Sequence, residues 1–275
     1  MKQQNKHIVN LILQSQGIDV SKYDETFFYK SLQKRITETK CGSDEDYYNF
    51  LKLNETEGSF LIDSLQISYS EFFRNTLTFA VLERIVLPVL IKKKIENNSK
   101  EIRIWSAACA AGQETYSLAI LLKELKAHNN ENINYRIFAT DQSQQQINEA
   151  LKGVYNASAL NSLNLKRMNK WFTFKGDSYT IKPALKKNIY FSVFDLFSQQ
   201  YSSPPESIFG NFDIVICANL LFYYKNEYRS IIIDKVKNSM AKNGYLMTGE
   251  AERDILMKNG FKEVILQSAI FQGKC

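Results

Sequence analysis

The stretch that decides the fold is Arg103-Ile-Trp-Ser-Ala-Ala-Cys-Ala-Ala-Gly-Gln-Glu-Thr-Tyr-Ser-Leu-Ala-Ile-Leu-Leu122. Its pattern predicts a short buried strand, a tight turn and then an amphipathic helix. The turn is made almost entirely of small residues: Ala107, Ala108, Ala110, Ala111 and Gly112. Because they leave little side-chain volume where the strand ends, backbone amides and the helix N-terminus can lie against a ligand. The turn therefore suits a nucleotide-like cofactor.

The same turn has a second interpretation. Small residues also let a helix and a strand pack closely without any ligand, and a lone turn of this kind is a weak signal. It holds one glycine, Gly112, so it does not meet the Gly-x-Gly-x-x-Gly pattern of dinucleotide-binding proteins. Residues elsewhere in the chain have to decide between the two interpretations.

From residue 68 onward, predicted helices and strands alternate around this turn, which is typical of a parallel sheet covered on both faces. Strands are predicted at 101–106, 135–140, 188–193, 212–217, 244–248 and 261–270. Helices are predicted at 77–95, 114–128, 143–152, 228–240 and 252–259. The exception is 170–182, where two short apolar runs flank Lys175-Gly-Asp-Ser178 and predict an inserted antiparallel β hairpin. We expect a Rossmann-like α/β fold.

Residues 1–67 have a different pattern. Apolar residues recur at helical spacing, as in Phe28, Leu32 and Ile36, and no strand pattern competes with it. Glycines separate the apolar runs, so four short helices are expected. We predict a small all-helical N-terminal domain at 1–67, a second domain at 68–275, and within the second a β insertion at about 168–187.

Composition and charge narrow the function classes. The chain has 275 residues, of which 44% are hydrophobic, as is ordinary for a globular protein. Its net charge of +6 comes partly from lysine runs that are typical of solvated helix ends rather than of nucleic-acid surfaces. The N-terminal segment is too polar for a signal peptide and no apolar run suits a membrane span, so we expect a cytoplasmic protein.

The small number of histidines argues against a function that depends on histidine. Only His7 and His128 occur, in unrelated polar contexts, which argues against a histidine metal site, a catalytic triad and a histidine general base. We predict no metal site. The four cysteines are scattered without a Cys-x-x-Cys pair and are expected to be reduced.

The residues that follow the predicted strands matter most, because ligands bind beyond the carboxyl ends of strands in an open α/β sheet. Asp141 follows the second strand, where a carboxylate can accept from both ribose hydroxyls, although Asp is also a common helix cap. Asp195 and Leu196 follow the third, where they could bind and cover an adenine. The run from Asn219 to Tyr224 follows the fourth and is apolar enough for a pocket wall or for core.

One further stretch, together with the residues that follow the predicted strands, gives a pattern specific enough to compare with known families. Ser68-Tyr-Ser-Glu-Phe-Phe-Arg74 precedes the turn, Glu114 with Tyr116-Ser117 follows it, and Asp141 and Asn219 come after in this order. Together these motifs resemble the chemotaxis receptor methyltransferases, the CheR family, across nearly the whole chain. The resemblance implies a Rossmann-like domain that uses S-adenosylmethionine as cofactor. It also implies methylation of glutamate side chains on the cytoplasmic part of a receptor.

The resemblance further implies roles for particular residues. The cofactor would be lined by Ser68, Ser70, Arg74, Glu114, Asp141, Asp195, Leu196, Asn219 and Leu220. Arg74 and Tyr223 would be catalytic and face the methyl group. No histidine is needed, since a glutamate carboxylate is already ionised at neutral pH and can attack the sulfonium methyl without a general base.

The chain departs from the usual motifs of the family in several places. Ser68 and Ser70 stand where Asn and Thr are usual, and the usual Glu-Glu-Pro-Tyr reads Gln113-Glu-Thr-Tyr116. Ala218 replaces a common Arg, and Gly-His-Ser-Glu reads Gly249-Glu-Ala-Glu252. Methyl transfer stays the expected reaction, and the departures bear on substrate identity and cofactor affinity.

Other function classes share parts of this pattern. A hydride-transferring dinucleotide enzyme would need a fuller glycine fingerprint and usually a proton donor such as histidine. A nucleic-acid methyltransferase would need an Asn/Asp-Pro-Pro-Tyr-like strand end, and Asn219-Leu-Leu-Phe222 lacks both prolines. A methyltransferase-fold protein acting on another carboxylate, or one that binds S-adenosylmethionine without catalysis, stays open.

The expected partner is the cytoplasmic domain of a methyl-accepting chemotaxis receptor, with no nucleic acid and no membrane insertion, and the chain is expected to act as a monomer. Some members of the family capture a receptor's C-terminal peptide on the inserted hairpin by strand addition. The tight Lys175-Gly-Asp-Ser178 turn predicts that this chain works without such a tether. Lys30, Lys34 and Arg35 could instead form a basic face for acidic receptor helices.

Overall fold

The computed structural model describes residues 3–65, 69–99, 101–129, 134–207 and 209–272. The chain divides into two compact units. One consists of Met1–Ile67 and Leu221–Ser230, and the other of Ser68–Leu220 and Ile231–Cys275. The first unit therefore includes a segment that is distant in sequence.

The first unit is mostly helical, as predicted. Its helices are α1 (Gln3–Gln16), α2 (Glu25–Thr39), α3 (Asp44–Leu53) and α4 (Glu55–Leu65). Asp24 caps α2 and Ser43 caps α3, because each side chain accepts hydrogen bonds from backbone amides of the first turn. The helices enclose fully buried apolar side chains such as Ile12, Leu32 and Leu61.

The segment Leu221–Ser230 joins this helical unit through backbone and ring contacts. An isolated antiparallel bridge pairs Tyr23 with Tyr224, and their rings stack at 5.1 Å between centroids. The backbone amide of Asp24 donates to the carbonyl of Tyr223 at 2.8 Å. The aromatic run after the fourth strand has two interpretations, a pocket wall or core, and its Tyr223-Tyr224 part packs in the helical unit.

Arg35 does not belong to an open basic face on α2, which corrects that prediction. Its guanidinium donates two hydrogen bonds to the Glu57 carboxylate, at 2.9 and 2.7 Å, and pairs with Glu38 as well. Glu57 is buried and also accepts from the hydroxyl of Tyr47 at 2.6 Å. A two-pronged bond to a buried carboxylate neutralises the arginine charge inside the unit.

The second unit contains two sheets. The strands are β1 (Glu101–Ala107), β2 (Asn134–Asp141), β3 (Val154–Asn156), β4 (Phe172–Lys175), β5 (Ser178–Ile181), β6 (Ile189–Val193), β7 (Phe212–Cys217), β8 (Met240–Met247), β9 (Lys262–Glu263) and β10 (Ile270–Gln272). Seven strands form one sheet in the order β6-β2-β1-β7-β8-β10-β9. Its first five strands are parallel to their neighbours, and β10 is antiparallel to β8 and β9. The predicted Rossmann-like fold is confirmed.

Helices alternate with the strands along the chain. They are α5 (Thr76–Val81), α6 (Leu87–Glu96), α7 (Gln113–Asn129), α8 (Gln144–Lys152), α9 (Leu165–Trp171), α10 (Pro183–Lys186), α11 (Asn226–Ser239), which begins in the first unit, and α12 (Arg253–Lys258). The predicted helix at 77–95 is interrupted by a π-helical turn, Leu82–Val86. Pro88 explains the interruption, since proline cannot donate the backbone hydrogen bond that continues an α-helix.

The core lies against the central strands of the large sheet. Ile104 and Trp105 of β1, Ile137 of β2 and Ile214 of β7 are fully buried. The indole nitrogen of Trp105 donates to the hydroxyl of Thr140 at 3.0 Å, so the one polar atom of this ring is satisfied. This packing fixes the carboxyl ends of β1, β2 and β7 relative to one another.

The predicted strand at 261–270 is wrong as a single element. Only Lys262–Glu263 and Ile270–Gln272 are strands, and a loop with left-handed residues at Gln267 and Ala269 separates them. The Glu263 carboxylate holds this loop by accepting from the amides of Gln267 and Ala269, at 3.1 and 2.9 Å. Apolar residues in the loop imitate a strand pattern, and the contacts of the Glu263 carboxylate override it.

The small sheet contains the predicted hairpin and one more strand. β4 and β5 are joined by a two-residue turn at Gly176-Asp177, with Gly176 at φ +60°. β3 pairs antiparallel with β5, which gives the order β3-β5-β4. The predicted bounds of the insertion, 168–187, leave out β3, because a three-residue strand carries too little pattern to be recognised.

Candidate active site

The turn after β1 lies where the strand order of the large sheet reverses. β1 has β2 on one side and β7 on the other, and Ala107 at its end is paired with Thr140 and with Cys217. Because the three strands are parallel, the turn lies at the same edge of the sheet as Asp141 and Asn219. This edge is where an open α/β sheet binds its ligands.

The turn itself has a constrained backbone. Ala108, Ala110 and Gly112 have positive φ values of 56°, 47° and 89°. The left-handed conformation costs an alanine about 1 kcal/mol, so the surroundings must hold the turn in place. A side chain at Gly112 would also be crowded, since a Cβ there would lie 3.1 Å from the Cβ of Ala150. The result is a narrow surface of backbone and methyl groups.

Asp141 connects the end of β2 to this turn. Its carboxylate accepts from the amide of Ala110 at 2.9 Å through Oδ2, and from the amide of Ser143 at 2.9 Å through Oδ1. Burial raises the pKa of Asp141, and the hydrogen bonds from backbone amides oppose that shift. Each carboxylate oxygen can accept a further hydrogen bond, so the backbone contacts are compatible with a ligand.

Glu114 and Arg74 form the charged part of the site. Burial raises the pKa of Glu114 to about 7, the positive charge of Arg74 lowers it, and the negative charge of Glu252 raises it. Arg74 is partly exposed, donates to the carbonyl of Tyr69 at 3.1 Å and lies over the Tyr69 ring. The structure therefore brings the two predicted residues Arg74 and Glu114 within electrostatic reach of each other.

The loop that carries Arg74 is fixed to the start of α7. The amide of Phe73 donates to the Ser117 hydroxyl at 3.0 Å, and that hydroxyl donates to the carbonyl of Gln113 at 2.8 Å. Phe73 has a positive φ of 50°, which an aromatic residue adopts only when it is held there. Ser117 thus supports the position of Arg74, which gives a physical reason for a serine in this motif.

Sequence reasoning gave no role to Glu252, and the structure gives it a central one. Its fully buried carboxylate accepts from the amides of Asn219 and Leu220, both at 2.7 Å. It also accepts from the Thr248 hydroxyl at 2.8 Å and from the Gly249 amide at 2.9 Å. A fully buried glutamate is rare unless it has such partners, and the sequence alone carries no sign of this burial.

Asn219 is held in an unusual conformation by this arrangement. Its φ is 58°, in the left-handed region, where asparagine is better tolerated than most residues. A Cβ on Gly249 would lie 2.5 Å from the Asn219 side-chain nitrogen, so the two segments touch closely. Glu252 therefore fixes both Asn219 and Leu220 at the end of β7.

Asp195 and Leu196 follow β6, the neighbour of β2. The amide of Phe194 donates to the carbonyl of Asp141 at 2.9 Å, so this loop adjoins the end of β2. Asp195 is exposed and accepts from the amide of Phe197 at 2.9 Å, whereas Leu196 is buried. An exposed acid beside an apolar side chain agrees with the geometry that adenine recognition would require.

The other predicted residues are placed as follows. Ser68 lies outside the described residues. Ser70 and Leu220 are partly exposed in the second unit. Tyr223 belongs to the helical unit, where its ring lies 4.7 Å from that of Phe27 and 4.3 Å from that of Phe222, measured between centroids.

Comparison with protein families identifies the family of this chain. The family model described as "CheR methyltransferase, SAM binding domain" matches residues 68–270, and the one described as "CheR methyltransferase, all-alpha domain" matches residues 4–65. The chain belongs to the CheR methyltransferase family. It is therefore an S-adenosylmethionine-dependent methyltransferase of the chemotaxis type, and the resemblance seen in the sequence is confirmed.

Curated relatives agree with this assignment. A chemotaxis protein methyltransferase of Borreliella burgdorferi is 28% identical over 259 residues, which cover 91% of this chain and 88% of that protein. Chemotaxis protein methyltransferase 1 of Pseudomonas aeruginosa is 33% identical over 196 residues, which cover 70% of this chain and 68% of that protein. The first alignment spans both the helical and the cofactor-binding regions.

The CheR assignment makes S-adenosylmethionine the cofactor, as predicted, and the site residues fit this molecule. Its amino group is positively charged and its ribose carries two hydroxyls, and this edge of the sheet offers the carboxylates of Glu114 and Asp141. The turn presents backbone and alanine side chains, without bulky groups, at this edge of the sheet. None of the helices in the described ranges has the length and apolar composition that a membrane span requires.

Proposed function

We propose that this CheR methyltransferase methylates glutamate side chains on the cytoplasmic part of chemotaxis receptors. The observation that carries the proposal is Arg74, a partly exposed guanidinium whose charge acts on Glu114 beside the cofactor turn. A guanidinium is suited to hold one oxygen of a carboxylate through charge-assisted hydrogen bonds. The names of the curated relatives support the chemotaxis substrate.

The proposed chemistry needs orientation rather than proton transfer. When bound, S-adenosylmethionine supplies an electrophilic methyl group on a positively charged sulfur. A glutamate carboxylate is ionised at neutral pH, so it requires no general base. Arg74 would bind one carboxylate oxygen and leave the other free to attack in line with the departing sulfur. Only two histidines occur in the chain, in agreement with this scheme.

The cofactor would be held by groups at the ends of four strands and by the loop before α5. We assign Asp141 to the ribose hydroxyls, Asp195 with Leu196 to the adenine, and Glu114 to the amino group. The remaining predicted contacts are Ser68, Ser70, Arg74, Asn219 and Leu220. A cation beside Glu114 would favour its ionised form, which offsets the burial that raises its pKa to about 7.

Tyr223 stays a proposed catalytic residue on the strength of the family resemblance. Its hydroxyl would orient the attacking group or the cofactor. Replacement by phenylalanine keeps the ring contact with Phe27 and removes only the hydroxyl. The role requires that this variant loses turnover while the helical unit keeps its stability.

Receptor recognition is proposed to be independent of a C-terminal peptide tether. The hairpin of the small sheet has only a two-residue turn between Lys175 and Ser178. On α2, Lys30 and Lys34 are exposed and could meet acidic receptor helices, although Lys34 also lies 3.8 Å from Glu38. A substrate in the cytoplasmic part of a receptor would place the enzyme in the cytoplasm.

The test is methyl transfer from radiolabelled S-adenosylmethionine to the purified cytoplasmic fragment of a cognate receptor. Glutamyl methyl esters release methanol in base, so base-labile label is expected on wild-type fragment. A fragment with its candidate glutamates replaced by alanine is the control. Label that resists base, or equal labelling of the control fragment, would contradict the proposal. A fragment without its final residues should be labelled equally if no tether is used.

A further inference from the structure

The small sheet contacts the cofactor turn directly. Tyr155 in the middle of β3 donates a hydrogen bond from its hydroxyl to the carbonyl of Ala111 at 2.6 Å. Both residues are buried, with 7% and 8% of their surface exposed, so water does not readily replace this bond. Burial also raises the pKa of the Tyr155 hydroxyl well above its usual range. The hydroxyl is therefore a fixed donor to the turn.

Ala111 lies between two residues with left-handed backbone, Ala110 and Gly112. Other hydrogen bonds, both long-range and local, also restrain the turn. Cys109 donates to the Thr140 carbonyl at 2.8 Å, Ala110 donates to Asp141, and Gly112 donates to the Cys109 carbonyl at 2.9 Å. The carbonyl of Gly112 also accepts from the amide of Tyr116 at 2.9 Å. Tyr155 adds a side-chain restraint that comes from the inserted sheet.

The small sheet also packs against the loop that carries Arg74. The Phe72 ring, fully buried, makes edge contacts with the Tyr155 ring at 5.0 Å and with the Phe172 ring of β4 at 5.3 Å. Arg167, on α9 between β3 and β4, lies 4.6 Å from the centre of the Phe73 ring. Two neighbouring aromatic residues of the Arg74 loop are thus held by the insertion.

Arg167 is itself firmly held. It donates to Glu124 of α7 at 2.8 Å and to Glu83 of the π-helical turn at 2.9 Å. Trp171 at the end of α9 donates from its indole nitrogen to Glu124 at 3.2 Å. Charge-assisted hydrogen bonds, as well as apolar packing, therefore connect the insertion to α7 and to the π-helical turn.

We infer that the inserted small sheet is a structural part of the cofactor site and that Tyr155 is a positioning residue, which holds the Ala108–Gly112 turn for S-adenosylmethionine. The inference rests on the proposed placement of the cofactor at this turn and not on the identity of the methyl acceptor. Tyr155 acts through the backbone of Ala111 and does not take part in methyl transfer. Loss of its hydroxyl loosens the turn and lowers cofactor affinity.

The matched pair of variants is Tyr155→Phe and Tyr179→Phe. The two tyrosines face each other as a cross-strand pair in β3 and β5, and within the described residues the Tyr179 hydroxyl makes no hydrogen bond. Both changes remove one hydroxyl from the same sheet and keep the ring. Only the first removes a restraint on the turn.

Binding of S-adenosylhomocysteine to the full chain is measured by isothermal titration calorimetry. Tyr155→Phe is expected to raise the Kd about tenfold, the effect of removing one hydrogen bond to a buried carbonyl, and Tyr179→Phe to leave it within about twofold. With radiolabelled S-adenosylmethionine, Tyr155→Phe is expected to raise the KM for the cofactor with little change in kcat. Equal Kd values for wild type and Tyr155→Phe would overturn the inference.

Hydrogen exchange separates positioning from a general loss of fold. In Tyr155→Phe, peptides covering 108–112 should exchange faster while those covering 172–181 should not change. Faster exchange throughout the small sheet would instead show that the hydroxyl stabilises the insertion as a whole, which would overturn the inference. Wild-type protein that binds S-adenosylhomocysteine but does not label receptor glutamates would contradict the proposed function alone.

Discussion

The turn after β1 and the loop after β7 follow two neighbouring strands, but different kinds of contact hold them in place. The turn is restrained at several points by partners from different elements, including Thr140, Asp141 and Tyr155. The loop is restrained through one side chain, because both Asn219 and Leu220 donate to the Glu252 carboxylate. Loss of one partner should loosen the turn only locally, whereas loss of the Glu252 carboxylate would leave both amides of the loop without their acceptor at once.

The largest effect is therefore expected from Glu252→Gln, which should lower the stability of the fold. The new side-chain amide would place an N–H donor beside backbone amides that already donate to this carboxylate. The free energy of unfolding should fall by about 3 kcal/mol, since buried amides lose their acceptor. Denaturant unfolding measures this. Glu250→Gln is the control, since Glu250 is exposed in the same short helical turn. Equal losses of stability in both variants would mean that the carboxylate network does not hold the loop.

Asp141→Ala is the corresponding change on the side of the turn. It removes the acceptor of the Ala110 amide and the proposed acceptor of the ribose hydroxyls. Affinity for S-adenosylhomocysteine should fall by about 2 kcal/mol, the usual cost of losing charge-assisted hydrogen bonds. Calorimetry measures the affinity and circular dichroism checks the fold. An unchanged affinity in a folded variant would remove Asp141 from the cofactor site.

Arg74→Lys tests the part of the site that would bind the methyl-accepting carboxylate. Arg74 belongs neither to the turn after β1 nor to the loop after β7. The charge is kept but the planar, two-pronged donor is lost, so turnover on receptor fragment should fall by about tenfold. The Kd for S-adenosylhomocysteine should change less. Lys166→Gln, on the exposed side of α9, is a charge control that should leave both values unchanged. Full turnover in Arg74→Lys would mean that position 74 needs only a positive charge or has no role.

The smallest effect is a pH dependence through Glu114. Burial raises its pKa to about 7 in the folded chain, above the value of 4.5 for a free glutamate. Glu114 ionises as pH rises, and a cationic ligand group prefers the ionised form. The Kd for S-adenosylhomocysteine should therefore decrease about fivefold between pH 6 and pH 7. Glu114→Gln should abolish this slope, and a slope that persists would show that another group titrates.

The free energy of unfolding changes in the opposite direction. As pH rises, ionisation of Glu114 improves cofactor affinity but lowers the stability of the folded chain. A carboxyl group whose folded pKa lies above its unfolded pKa binds more protons in the folded state. Its contribution to the free energy of unfolding therefore decreases as pH rises from the unfolded value of 4.5 towards the folded value of about 7. Thermal unfolding of wild type against Glu114→Gln isolates this contribution. The comparison should show a smaller stability loss for Glu114→Gln over that range.

Much of the fold could be predicted because it is recorded in local pattern. Apolar runs predicted five of the large sheet's strands, and the alternation with helices predicted that the sheet is mainly parallel. The prediction at 261–270 was wrong because Glu263 fixes a loop through contacts to Gln267 and Ala269 that no periodicity shows. The strand Val154–Asn156 was missed because it is stabilised by its neighbour β5 rather than by its own pattern.

The sequence by itself determined the family, the cofactor and the small-residue turn, because motif order and side-chain volume are properties of the chain. Only the tertiary structure decided which distant groups complete the site. Glu252 bonds to Asn219 across 33 residues, and Tyr155 bonds to Ala111 across 44. Hydrogen bonds over such separations follow from packing of whole elements and leave no local periodicity. For the same reason Arg35, a free cation by pattern, is bound to the buried Glu57 in the folded chain.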